Sequence, residues 1–144
     1  MENINITEKE IIDYKLGNKS SILNIAITYE MPYIVEKESR ISTETEKTLM
    51  AAELLSKHND NETVYFLNSI IHSTESANIL ILGVSLLDIA KNIENEAAIQ
   101  YLKRWGTVER GTQEDTFKVI NMFNDEQKLG QDNIFINQLK RHKK

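Results

Sequence analysis

The chain has no cysteine, one proline and five glycines among its 144 residues. The missing cysteine excludes disulfides, thiol catalysis, iron–sulfur clusters and thiolate zinc sites. Five scattered glycines do not build a phosphate-cradling loop. A single proline leaves little punctuation for anything but helices. Long apolar runs are missing too. The longest, residues 77–90 (ANILILGVSLLDIA), is interrupted by Asn78, Ser85 and Asp88, and a membrane-spanning helix needs ~20 apolar residues. Residues 1–10 (MENINITEKE) hold no basic n-region and no apolar h-region. A signal peptide is therefore not expected, a cytoplasmic setting is, and the sequons at Asn5, Asn18 and Asn61 go unused.

What is present suits one folded domain. Apolar residues make up 40% of the chain, and a chain of this size buries roughly 68–70% of its unfolded surface. The tilt toward Ile, Asn, Lys and Glu matches A/T-rich codons, as in a low-G+C bacterium, its phage or plasmid, or a virus.

Caps recur at intervals that spell helices. Thr7 with Glu10 forms a capping box, and Ile6 with Ile11 a hydrophobic staple. That helix should stop at Gly17. Residues 21–31 fit both strand alternation and a helical face, but a strand there has no evident partner, so helix is favoured. Pro32 should end it, with residues 33–41 as a connector. Thr43 with Glu46 is a second capping box, opening a helix through Leu49, Met50, Leu54 and Leu55. Asn61 should cap the next, through Val64, Leu67, Ile70 and Ile71.

Ile79, Leu82, Leu86, Ile89 and Ile93 step by helical intervals, and Leu80, Val84 and Leu87 add a second apolar face. A helix apolar on several faces belongs inside a bundle. The pattern thus predicts a central helix over about 77–93, with Gly83 marking the close approach of a neighbour. Asn95 should cap a helix that ends at Gly106, and Thr112 the one carrying Phe117, Ile120 and Phe123. A last helix should carry Ile134, Phe135 and Leu139. The expected fold is all-α: a single-domain bundle of about six to seven helices over residues 1–139, followed by a basic tail at 140–144.

Catalytic constellations are scarce. The three histidines form no ligand motif; a metal or acid–base site would have to join His58 and His72 with Glu53, Asp60 or Glu75. The pairs Glu94/Glu96, Glu114/Asp115 and Asp125/Glu126 lie at helix starts or turns and suit capping. Gly83-Val84-Ser85 matches only the first half of a nucleophile elbow and lies in a helical pattern. No enzyme, metal or cofactor is expected.

The net charge of −5 is unevenly distributed. Residues 1–46 hold 5 Lys/Arg and 9 Asp/Glu, residues 47–99 hold 3 and 7, and residues 100–144 hold 9 and 6. An acidic body thus carries a basic C-terminal third. Candidate contact residues are Tyr101, Arg104 and Trp105, types enriched at interface hot spots, and Lys140, Arg141, Lys143 and Lys144 of the tail. The leading expectation is a protein-binding regulator or inhibitor encoded by a phage, plasmid or virus. Its partner would be a basic or nucleic-acid-binding protein. The alternatives are a helix-turn-helix DNA-binding regulator around residues 18–39, disfavoured by Glu36 and Glu38, and a structural subunit or homo-oligomer.

Overall fold

Both Thr-x-x-Glu boxes start helices where the sequence places them. In the computed structural model, which describes residues 4–124, the Thr7 hydroxyl accepts from the Glu10 amide and the Glu10 carboxylate accepts from the Thr7 amide, opening α1 (Glu8–Lys15). The same reciprocal pair at Thr43 and Glu46 opens α4 (Glu44–Lys57). Between them lie α2 (Asn18–Thr28) and α3 (Pro32–Arg40). Then come α5 (Thr63–Ile70), α6 (Thr74–Asn78), α7 (Leu86–Asn92), α8 (Glu96–Arg104) and α9 (Gln113–Asn124). The protein is an all-α single-domain bundle, with one minimal sheet: β1 (Asn5–Ile6) parallel to β2 (Leu80–Ile81).

Residues 21–28 are helical, as favoured, with 29–31 as the turn into α3, and Asn95 and Thr112 cap α8 and α9 through their side chains. At the end of α8, Gly106 has φ +78°, its amide donates to Lys103 O at 3.0 Å, and Thr107 N donates to Leu102 O at 3.2 Å. Those two bonds are a Schellman motif, which needs the left-handed residue that glycine supplies.

Four expectations need correction. The central helix over 77–93 does not exist; the segment is α6, β2, a tight turn and α7. Leu82 and Gly83 both have positive φ, and Ile81 and Val84 exchange backbone bonds across them at 2.8 and 2.9 Å. That is the geometry of a two-residue hairpin turn. Gly83 therefore serves the turn, and a Cβ there would meet nothing within 4 Å. Ser85 and Asp88 then form a third capping box, which opens α7. Residues 33–41 are not a connector, because Pro32 starts α3 at its first turn, where its missing amide costs nothing. Asn61 caps no helix; Asp60 accepts from the Glu62 amide and Thr63 Oγ1 from the Asp60 amide, both at 2.8 Å. The nine helices among the described residues thus exceed the six or seven expected. The last expected helix and the 140–144 tail lie outside the described residues.

The centre of the bundle is α4. Every residue from Thr48 to Leu55 is buried, and α4 packs on α1, α2, α5, α6, α7 and α9. Ala51 and Ala52 leave room for close neighbours, while Leu54, Leu55 and Met50 fill the space between them. Truncating a core leucine of this kind costs ~2–5 kcal/mol.

Candidate functional site

Where α1, the start of α2 and the start of α4 meet, they leave a groove of about 680 Å³. That volume lies within the ~300–1,000 Å³ range of small-ligand sites. Buried Tyr14 and Leu49 form its floor, and Glu10, Asp13, Glu46 and Lys19 stand on its rim.

The floor is fixed from below. Glu53 on α4 is 1% exposed. Its Oε1 accepts from Tyr14 OH at 2.9 Å, and Ser20 Oγ donates to the same carboxylate at 2.8–2.9 Å. One carboxylate therefore ties α1, α2 and α4 together. Burial, followed by the charge of Glu53, raises the Tyr14 pKa well above the ordinary phenol value. The phenol stays protonated and donates to Glu53.

The rim differs from side to side. Glu10 and Glu46 each use Oε1 to accept from their own N-cap amide, at 3.0 and 2.8 Å. Glu46 Oε2 lies 3.9 Å from Lys19 Nζ. Asp13 pairs with Lys9, at 3.6 Å, and both side chains are well exposed; such a pair is worth little. The α1 and α4 sides are therefore acidic. On the α2 side, the N-cap is Gly17, with no side-chain cap bond and no acid in the first turn. Its first amides are open donors. A chain segment carrying a cationic side chain and its own carbonyl groups matches both halves.

The expected contact residues fall elsewhere. Tyr101 on α8 and Trp105 at its C-cap are half-buried and pack against the core. Tyr101 OH lies 2.6 Å from Ile71 O and 3.0 Å from Asn68 Oδ1. Trp105 O accepts from Asn78 Nδ2 at 3.1 Å. Arg104 is exposed beside them. Lys140, Arg141, Lys143 and Lys144 lie outside the described residues.

Other candidate groups have structural partners. His58 Nε2 sits 2.6 Å from Asn24 Oδ1, and burial followed by Lys57 lowers its pKa. A lowered pKa favours the neutral ring, so the cationic helix-end role that its position suggests is disfavoured. Ser85 is an N-cap, not a helix-interior residue, and accepts from the Asp88 amide at 3.1 Å. Asp88 in turn accepts from the amides of Ser85 at 2.9 Å, Arg110 at 3.1 Å and Gly111 at 2.7 Å. Among the described residues, no group of three or more His, Asp or Glu could hold a metal ion, and no helix is long and apolar enough to cross a membrane.

The sequence reading missed the groove because its lining comes from two distant stretches, at positions 10–19 and 43–49, and its brace, Glu53, from a third position. The one available signal was a glutamate amid the leucines of the α4 core. No protein-family model matches the chain, and no curated protein or solved structure compared with it is significantly similar.

Proposed function

We propose that the protein works by binding a protein partner, seating a basic segment of that partner in the α1–α2–α4 groove. The observation that carries this reading is the rim: three carboxylates to one ammonium around an apolar floor, beside open backbone amides. A lysine or arginine side chain would meet Glu10, Asp13 and Glu46, while its carbonyls meet the start of α2. Such charge complementarity steers encounter and selects partners. The protein would then act as a regulator or inhibitor by occupying its partner's surface, in the cytoplasm, without catalysis of its own.

The test is a calorimetric titration with a lysine- and arginine-rich peptide. The variant is Glu10→Gln/Asp13→Asn/Glu46→Gln, in which the amide oxygens still accept the cap bonds. Binding by the wild type that falls by about tenfold or more, ~1.4 kcal/mol, in the variant supports the groove. Equal binding by both refutes it.

One observation favours a second reading. The segment at 18–40 does form two helices joined by three residues, and on α3 Tyr33, Lys37 and Arg40 are exposed on one face at i, i+4 and i+7. With Glu36 and Glu38 on the same helix, its net charge is zero, which weakens attraction to DNA. Salt-sensitive retention of duplex DNA that Lys37→Glu abolishes would favour this reading over the first.

A further inference from the structure

A second, smaller cavity of about 250 Å³ lies on another side of α4, lined by Glu36, Ser39, Arg40, Lys47, Ser69 and His72. Three nitrogen-bearing side chains reach it from three places: the end of α3, the first half of α4, and the link between α5 and α6. Their donors are largely uncommitted. Arg40 donates through one nitrogen to Glu36, at 2.5 Å, leaving most of the five guanidinium N–H groups free. Lys47 Nζ donates to Glu44 at 3.2 Å, and the ammonium has further protons to give. His72 is exposed and has no hydrogen-bond partner among the described residues. Both serine hydroxyls donate to backbone oxygens, Ser39 to Ile70 O at 3.1 Å and Ser69 to Tyr65 O at 3.3 Å. They shape the cavity without adding donors.

Three nitrogen donors face one lining carboxylate, Glu36; donors in that excess suit an oxyanion, and a guanidinium fork beside an ammonium suits a phosphoryl group. The size narrows the ligand. The cavity is below the ~300 Å³ at which drug-sized ligands begin to be enclosed, so a nucleotide is too large. We infer that the Arg40–Lys47–His72 cavity is a binding site for a small free oxyanion of the phosphate class. It is separate from the acidic groove, so each can fail without the other. Glu36 tunes it: the carboxylate holds Arg40 in place when the cavity is empty and limits its affinity.

NMR titration of the full chain with inorganic phosphate tests this, at constant ionic strength held by chloride. Pyrophosphate and a short DNA duplex serve as parallel probes. Saturable shifts at Arg40, Lys47 and His72 are expected, with a dissociation constant of about 1 mM or tighter. Arg40→Gln and His72→Gln, both at exposed positions, should each weaken phosphate about tenfold with the melting temperature unchanged. Shifts that stay linear in phosphate, or variants that bind like the wild type, overturn the site. A duplex that saturates the same residues more tightly than pyrophosphate overturns the assignment to a free anion.

Discussion

Glu53 is where the fold and the candidate groove depend on the same atoms. Its carboxylate sits inside the bundle at 1% exposure and accepts from Tyr14 OH on α1 and Ser20 Oγ on α2. Glu53→Ala removes the shared acceptor. Each hydroxyl left unpaired in the interior costs ~1–3 kcal/mol, and the lost side chain leaves a cavity that α4, pinned on several sides, closes only in part. The expected destabilisation is about 4 kcal/mol. At an m value of about 2 kcal/mol/M, that lowers the urea midpoint by about 2 M. Glu53→Gln is the discriminating control. It keeps one oxygen for Tyr14 and offers an amide that Ser20 can accept, so its loss should be about 1 kcal/mol. Tyr14→Phe removes one bond to a charged group, about 1.5 kcal/mol. Circular dichroism through a urea series reads all three. The reasoning is refuted if Glu53→Ala lies within about 1 kcal/mol of wild type, or if glutamine is as damaging as alanine. The second outcome would mean that charge at this position, rather than acceptor geometry, holds the three helices.

Asp88→Ala should cost about 3 kcal/mol, because it leaves the Ser85 cap bond in place but removes the acceptor of three amides, those of Ser85, Arg110 and Gly111. Ser85→Ala loses only the cap, about 1 kcal/mol, and faster amide exchange at Arg110 and Gly111 in the first variant alone checks the difference. For His58, burial lowers the folded-state pKa below the ordinary 6.5. The unfolded chain takes up the proton first, so stability should be constant above about pH 6.5 and decline as pH falls from there to the folded-state value. Urea midpoints measured across that range should lose this slope in His58→Gln; an unchanged slope would place its origin elsewhere.

Capping chemistry made much of the fold legible. Thr7, Thr43, Asn95 and Thr112 act through side chain to backbone bonds set by residues three positions apart, and such local geometry is written in the sequence. The segment at 77–93 shows where this stops. Ile79, Ile81, Val84, Leu86, Leu87, Ile89 and Ala90 are all buried, and a stretch buried on every side has no apolar face to give away its period. Its helical spacing was incidental. What breaks it is β1, some 75 residues away: Leu80 N donates to Ile4 O at 2.8 Å and Leu82 N to Ile6 O at 3.0 Å. Pairing across that distance leaves no local mark. Ser85-x-x-Asp88 did leave one, with the shorter acid in place of glutamate.

The candidate groove was harder to foresee for a related reason. Charge counts along the chain averaged Glu10, Asp13 and Glu46 into a general acidity, whereas function depends on which charges face one space. Glu10 and Glu46 were read correctly as capping groups, yet capping occupies only Oε1 of each. Capping also holds each carboxylate in place at the mouth of the groove. On the proposed reading the local role would prepare the other: a carboxylate anchored by its own helix start would lose little further side-chain freedom on meeting a cation, and so would retain more of the attraction as affinity.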